Sequence, residues 1–177
     1  MFLKPPVMTS VFQGDFKVSN DPAVCLMAIL GSCVATCLFD EDAKIGGLNH
    51  FLLPRSAKGA DSDLRYGVQS MELLINALLK TGANKANLKA KVFGGAQMLD
   101  EFSNIGQRNA EFAYCFLDDE NIPYIAKCTA GNQARRIRFW PTTGRAQQML
   151  VARTEAPLPT GPQKSTPDLA KSEVVLF

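Results

Sequence analysis

Residues 30–50 read LGSCVATCLFDEDAKIGGLNH. Two apolar runs, VATCLFD and IGGLNHFLL, stand on either side of the polar tetrapeptide EDAK. A helical period of three and four is absent from both runs, and nearly every position is apolar rather than every second one. That is the pattern of a β-hairpin covered on both faces, so the stretch is expected in the middle layer of a packed structure.

Working outward, AVCLMAIL is bounded by the turn-forming NDP and by Gly31 and reads as a further strand, while VFQGDFKVS reads as extended chain. Downstream the period changes. Val68, Met71, Leu74, Ile75, Leu78 and Leu79 recur at helical spacing from Tyr66 to Lys80, and Gly82 is placed to stop the run. LKAKVFGGAQML then predicts a strand entering a glycine pair, NIGQRNAEFAYCFLDDE a second helix, and PYIAKC, RRIRFW and RAQQMLVA three strands separated by turns. The class is therefore mixed α/β. Beyond Glu155 the segment APLPTGPQKSTPDLAKSE has too few aliphatic residues to offset its ordering entropy, which predicts one domain over residues 1–154 and a disordered tail over 155–177, its final VVLF frayed.

Composition narrows the function classes. The chain has 177 residues, 46% of them hydrophobic, enough for one core. With 19 Lys and Arg against 17 Asp and Glu, the balance is too even to predict nucleic acid or an anionic membrane as a partner. The opening MFLKPPVMTS lacks the apolar run of a secretory signal, and no later stretch is long enough to span a bilayer, so a cytoplasmic location without membrane insertion is expected. Five scattered cysteines, an odd number, make a poor disulfide framework and are expected to be mostly small buried hydrophobes.

His50 is the only histidine, and the hairpin gives it a partner. A two-residue loop at Glu41 and Asp42 pairs Asp40 with Ala43, and the same register sets Cys33 opposite His50. A bulge at Gly46 and Gly47 would shift that register, and Cys33 has a second possible placement, on the Gly31-Ser32 turn just before the strand. Either way thiol and imidazole meet. An imidazole beside a thiol can take its proton and later pass it to a leaving group, while N–H groups of the Gly31-Ser32-Cys33 turn can cradle an oxyanion. Gly31, Ser32 and Asn49 are the candidates for an oxyanion or substrate loop. Two other readings remain open: Cys33 and Cys37 as core residues with His50 satisfied by a backbone carbonyl, or a zinc site of Cys25, Cys33, Cys37 and His50, whose spacings do not match common structural zinc motifs. The glycine pair in VFGGAQ lacks a phosphate-loop form, Arg135, Arg136 and Arg138 read as a solvated strand face, and Asp118, Asp119 and Glu120 read as a helix end.

LGSCVATCLFD, IGGLNHFLLP, the Tyr66 helix, KVFGGAQML, NIGQRN and AGNQARRIRF, taken in this order from about residue 10 to residue 151, resemble the CheD family, the chemoreceptor glutamine deamidases of bacterial chemotaxis. The resemblance implies a layered sandwich of mixed β-sheets flanked by helices, related to deamidases of the cytotoxic necrotizing factor type. It implies Cys33 as nucleophile and His50 as general acid and base, converting receptor glutamine to glutamate through a thioester, with no metal or organic cofactor. The implied partners are the cytoplasmic helices of chemoreceptors and a CheC-like phosphatase. One position departs: the family's threonine six residues before the nucleophile is Met27 here, and a thioether cannot donate a hydrogen bond to orient a histidine. Thr36 is an odd number of residues from Cys33 and faces the other way, which leaves Ser32, Asn49 or a backbone carbonyl for that role. A catalytically weak or inactive receptor-binding module is the alternative reading.

Overall fold

A computed structural model of the chain describes residues 5–54, 60–98, 104–151 and 174–177. In chain order its elements are β1 (Val7–Ser10), β2 (Phe16–Ser19), β3 (Val24–Leu30), β4 (Val34–Asp40), β5 (Ile45–Phe51), α1 (Ala60–Thr81), β6 (Lys89–Gly94), α2 (Ile105–Asp119), β7 (Tyr124–Thr129), β8 (Arg135–Trp140), β9 (Arg145–Leu150) and β10 (Val174–Leu176). The strands form two mixed sheets, β1-β3-β8-β9-β10 and β2-β5-β4-β6-β7. The parallel pairs are β1 with β3 and β6 with β7.

The expected buried hairpin is β4 and β5, and every residue of both strands is buried. Alternation explains how one strand serves two cores. Ala35, Cys37, Phe39 and Leu48 meet Leu26, Ala28, Leu30, Ile137 and Phe139 of the first sheet. Val34 and Leu38 pack with Met71, Leu74 and Leu78 of α1 and Leu117 of α2. The layers are therefore sheet, sheet and helix, a mixed α/β sandwich as expected, with both helices on the same side. Gly46 and Gly47 make no bulge, since the β4–β5 register runs unbroken through them. They are contact glycines: a Cβ on Gly46 would lie 2.4 Å from the Pro141 carbonyl oxygen, and one on Gly47 2.8 Å from Leu74 Cδ1.

The helix predicted from Tyr66 starts earlier, at Ala60, and ends where Gly82 takes φ +113°. There the Ala83 N–H donates to the Leu78 carbonyl (3.0 Å) and the Gly82 N–H to that of Leu79 (3.1 Å), the paired bonds of a Schellman stop.

Three expectations require correction. The hairpin loop has four residues, 41–44, because the Asp40 carboxylate accepts from the N–H groups of Asp42 and Ala43 (both 3.0 Å) and from that of Asn84 (2.8 Å), and so organises a wider turn. His50 consequently lies opposite Ala35 rather than Cys33. Arg135 does not belong to a solvated face: it is 3% exposed and donates to the carbonyls of Cys128 and Ala130. VVLF is not frayed but forms β10 on β9, with Phe177 exchanging two backbone hydrogen bonds with Ala146 and packing its ring edge-on to Phe93 at 5.5 Å. The rest of the predicted tail, through residue 173, and the boundary at residue 154 lie outside the described residues.

Burial alone would push the Asp40 carboxyl pKa up, but the amides of Ala43, Asn84 and Asp42 outweigh it and hold the group below its ordinary value. A lowered folded-state pKa means the contribution is complete above the unfolded value of about 4 and is lost as pH falls through the folded one. Asp40→Ala should cost about 1–3 kcal/mol at neutral pH. In urea titrations the wild type should begin to lose this increment as pH falls below the unfolded value and lose the rest through the folded one, while the variant loses less over the same range.

Candidate active site

Gly31, Ser32 and Cys33 carry the chain from the first sheet to the second at one end of the sandwich. All three carbonyls of this crossover are held from one side. The Gly31 oxygen accepts from the Ala96 N–H and the Cys33 oxygen from the Gly95 N–H, both at 2.8 Å. The Ser32 oxygen accepts from Asn109 Nδ2 at 2.8 Å. A planar trans peptide directs each N–H opposite to the preceding carbonyl, so the amides of Ser32 and Cys33 point away from this clamp. The N–H groups of Gly31 and Cys33 reach the Cys33 sulfur.

Sequence reasoning missed the clamp. Asn109 is fully buried on α2 and has a second contact, accepting from the Leu53 N–H at 2.9 Å just beyond β5. It joins the crossover to the segment that follows His50. The helix comes this close because position 106 is glycine, where a Cβ would lie 2.5 Å from the carbonyl oxygens of Gly95 and Ala96. The NIGQRN and GGA pieces are thus two halves of one contact. A polar residue one helical turn after a glycine, at the start of an amphipathic helix, was the available signal.

His50 is held by the segment between β1 and β2. Its Nδ1 lies 3.0 Å from the Val11 carbonyl oxygen. Its backbone N–H donates to Asp15 (3.0 Å) and its carbonyl accepts from Gly14 (2.7 Å). A carbonyl only accepts, so neutral His50 carries its proton on Nδ1 and leaves Nε2 as the basic atom. Nε2 is buried and has no hydrogen-bond partner among the described residues. The register places this side chain opposite Ala35, two residues after Cys33, at the end of the hairpin where the chain enters β4. The hairpin register thus differs from expectation by two residues. Cys33 sits on the turn before β4, half-buried.

Burial dominates both titrations. It lowers the His50 pKa, against the opposing pull of the Val11 carbonyl and the Asp15 charge. It raises that of Cys33, opposed by the amides of Gly31 and Cys33. At neutral pH Cys33 therefore rests as a thiol and His50 as a neutral imidazole.

The other predicted residues separate. Asn49 faces the helices: its Oδ1 accepts from the Thr36 N–H at 2.9 Å, and its Nδ2 lies 3.3 Å from Ser70 Oγ. It therefore belongs to neither an oxyanion cradle nor the His50 contacts. Thr36 lies opposite Asn49 on that same face. Met27 pairs with Arg138 between the inward-facing Leu26 and Ala28, so its side chain is on the outer surface of the first sheet, away from His50. Its carbonyl nevertheless accepts from the Val11 N–H at 2.8 Å and thereby sets the oxygen that holds Nδ1. Position 27 is thus linked to His50 through backbone atoms and the Val11 carbonyl, and not through its side chain. Among the described residues no three His, Cys, Asp or Glu side chains are grouped to hold a metal ion, and no helix is long and apolar enough to cross a membrane.

The architecture defines a class: a two-sheet sandwich, backed by helices, with a cysteine on a clamped turn at one end and a buried histidine on the strand hairpin that follows. A family model described as CheD chemotactic sensory transduction matches residues 52–149. The chain is 49% identical over 173 residues to a Rhizobium meliloti protein named "Probable chemoreceptor glutamine deamidase CheD", covering 94% of each. Proteins of the same name from Caulobacter vibrioides and Agrobacterium fabrum are 48% and 55% identical, covering 97% and 82% of this chain and 94% and 81% of their own lengths. The chain belongs to the CheD family.

Asn109→Asp keeps an acceptor for Leu53 but loses the donor to Ser32 and sets a carboxylate against a carbonyl. It should destabilise the protein by about 1–3 kcal/mol in urea titration, more than it weakens protection of the Leu53 amide in hydrogen exchange.

Proposed function

We propose that the chain is a protein-glutamine deamidase of chemoreceptors, with Cys33 as nucleophile and His50 as general base and then acid. The observation that carries this reading is the buried Nε2 of His50, without a hydrogen-bond partner among the described residues, at the end of the hairpin that Cys33 precedes. Nε2 takes the thiol proton as sulfur attacks the side-chain carboxamide carbon of glutamine. The oxyanion forms beside the amides freed by the carbonyl clamp on Gly31, Ser32 and Cys33. The imidazolium then protonates the departing nitrogen, ammonia leaves, and a thioester remains. Water, deprotonated by the same Nε2, attacks the thioester, and glutamate and the free thiol are released. The carbonyl of Val11 keeps the ring in one tautomer through both halves. The substrate is the cytoplasmic helical part of a receptor, which sets the reaction in the cytoplasm; a CheC-like phosphatase is the further partner that family membership suggests.

Mass spectrometry of a receptor cytoplasmic fragment tests the reading. Wild type should convert specific glutamines to glutamates, Cys33→Ala none, and His50→Gln should be slower by at least about 10²-fold. Equal conversion by wild type and Cys33→Ala would remove the nucleophile, and no conversion by wild type would favour a receptor-binding module.

The active form holds one proton between thiol and imidazole. With His50 lowered and Cys33 raised, kcat/KM should have an acid limb below pH 6.5 and an alkaline limb above pH 9.0. A plateau across neutral pH follows.

The side chain at position 27 faces away from the ring, so Met27→Thr should leave kcat within about twofold of wild type, the range of an ordinary surface substitution. A gain of tenfold or more would restore an orienting role to that side chain.

A further inference from the structure

The formal charge of +2 conceals a segregation. Residues 121–154 hold six Lys or Arg and no Asp or Glu. The five strands of the first sheet contain no acidic residue at all. Both helices pack on the second sheet, which leaves the outer face of the first without a covering layer among the described residues.

Register assigns what that face displays. Ile29 pairs with Arg136 and Met27 with Arg138, while the alternate residues Ala28, Leu30, Ile137 and Phe139 point inward. Arg145 pairs with Trp140 on the same surface and stacks on its ring at 4.5 Å. Ile29 is 38% exposed and Leu176 64%. No described carboxylate forms an ion pair with Arg136 or Arg138. A few arginines interleaved with exposed aliphatic residues and an aromatic are the composition of a protein-binding surface, whereas nucleic-acid binding draws on a denser array of phosphate contacts.

The position of the face matters as much as its charge. Ile29 is two residues before Gly31, about 7 Å along the strand, and Arg136 is about 5 Å further on the neighbouring strand. An α-helix is about 10–12 Å across. Cys33 lies across the crossover toward the second sheet, about 10 Å further, so Ile29 and Arg136 are reached along the axis of a receptor helix, which at 1.5 Å per residue covers about 20 Å in about 15 residues beyond the glutamine presented to Cys33. The occupant favoured by this juxtaposition is the substrate's own helical segment, with carboxylates outside the target glutamine.

We propose that Ile29, Arg136 and Arg138 form an exosite for acidic side chains of the receptor helices beyond the reacting residue. The proposal rests on the deamidase reading, and it adds a consequence. Each turnover replaces a neutral carboxamide by a carboxylate, so a receptor already deamidated at one position is held more tightly for the next.

Binding of the full chain carrying Cys33→Ala to a receptor cytoplasmic fragment decides it, because affinity is read without turnover. Adding Arg136→Glu and Arg138→Glu should weaken Kd by about tenfold or more and flatten its salt dependence. In the active protein the same pair should raise KM and leave kcat unchanged. The neutral pair Arg136→Gln and Arg138→Gln should give an intermediate loss with an unaltered urea midpoint, which separates recognition from folding. The fragment with glutamates at its reacted positions should bind more tightly than the glutamine form. Kd within twofold of the parent in both pairs, an undetectable complex with the parent, or losses confined to anionic vesicles or DNA would overturn the proposal. Absence of deamidation by wild type alongside an arginine-dependent Kd would instead remove the catalytic reading and keep the surface.

Discussion

Holding three successive carbonyl oxygens from one side is a demanding constraint, and the turn between the sheets depends on it. Gly31, Ser32 and Cys33 cannot accept from a ladder, because they have left one sheet and not yet entered the other. Their acceptors are satisfied by Ala96, Asn109 and Gly95 instead. Loss of any of these donors would leave a carbonyl without a partner at the site where backbone direction matters most. The clamp also explains why the α2 start must sit so close to the β6 end, and hence why glycine occupies position 106. Sheet crossover, helix docking and the orientation of the Cys33 amide are one packing solution.

A second consequence concerns charge. A thiolate-imidazolium pair at rest would place two charges in a site where burial opposes both. A neutral thiol and a neutral imidazole avoid that cost, and in the proposed mechanism the proton moves only when sulfur attacks. The fixed tautomer has special weight under these conditions, since a neutral ring has only one basic nitrogen and the Val11 carbonyl decides which it is. The segment between β1 and β2 therefore sets the His50 tautomer through a backbone carbonyl, with the Asp15 charge acting on the same ring.

What could be read in the sequence divides along side chains and backbone. Apolar runs and helical spacing identified β3 to β9 and both helices, because burial on one or two faces imposes those patterns directly. The β4–β5 hairpin was legible in its strands and wrong in its register, which sets His50 opposite Ala35 rather than Cys33. Register depends on a turn that Asp40 widens through contacts reaching to Asn84. Val11 and Met27 act through carbonyls, and a carbonyl has no letter of its own. The concern over a missing threonine arose from reading position 27 as a side chain. Asn109 has a letter, but its partners lie 77 and 56 residues away and only the fold brings them together.

The one-sided helix layer follows from the same economy. β4 and β5 are buried on both faces and need cover from each side, whereas β1 and β10 are short edge strands and the outer face of the first sheet has no covering layer among the described residues. An uncovered sheet must be kept soluble and protected from pairing with copies of itself. Arg136, Arg138 and Arg145 supply charge across three neighbouring rows, and repulsion between like faces opposes stacking. Solubility alone would be met by mixed signs, which also avoid a large single-sign field. A face of one sign is a choice that mixed surface charge does not require, and the end of this face meets the turn that carries Cys33.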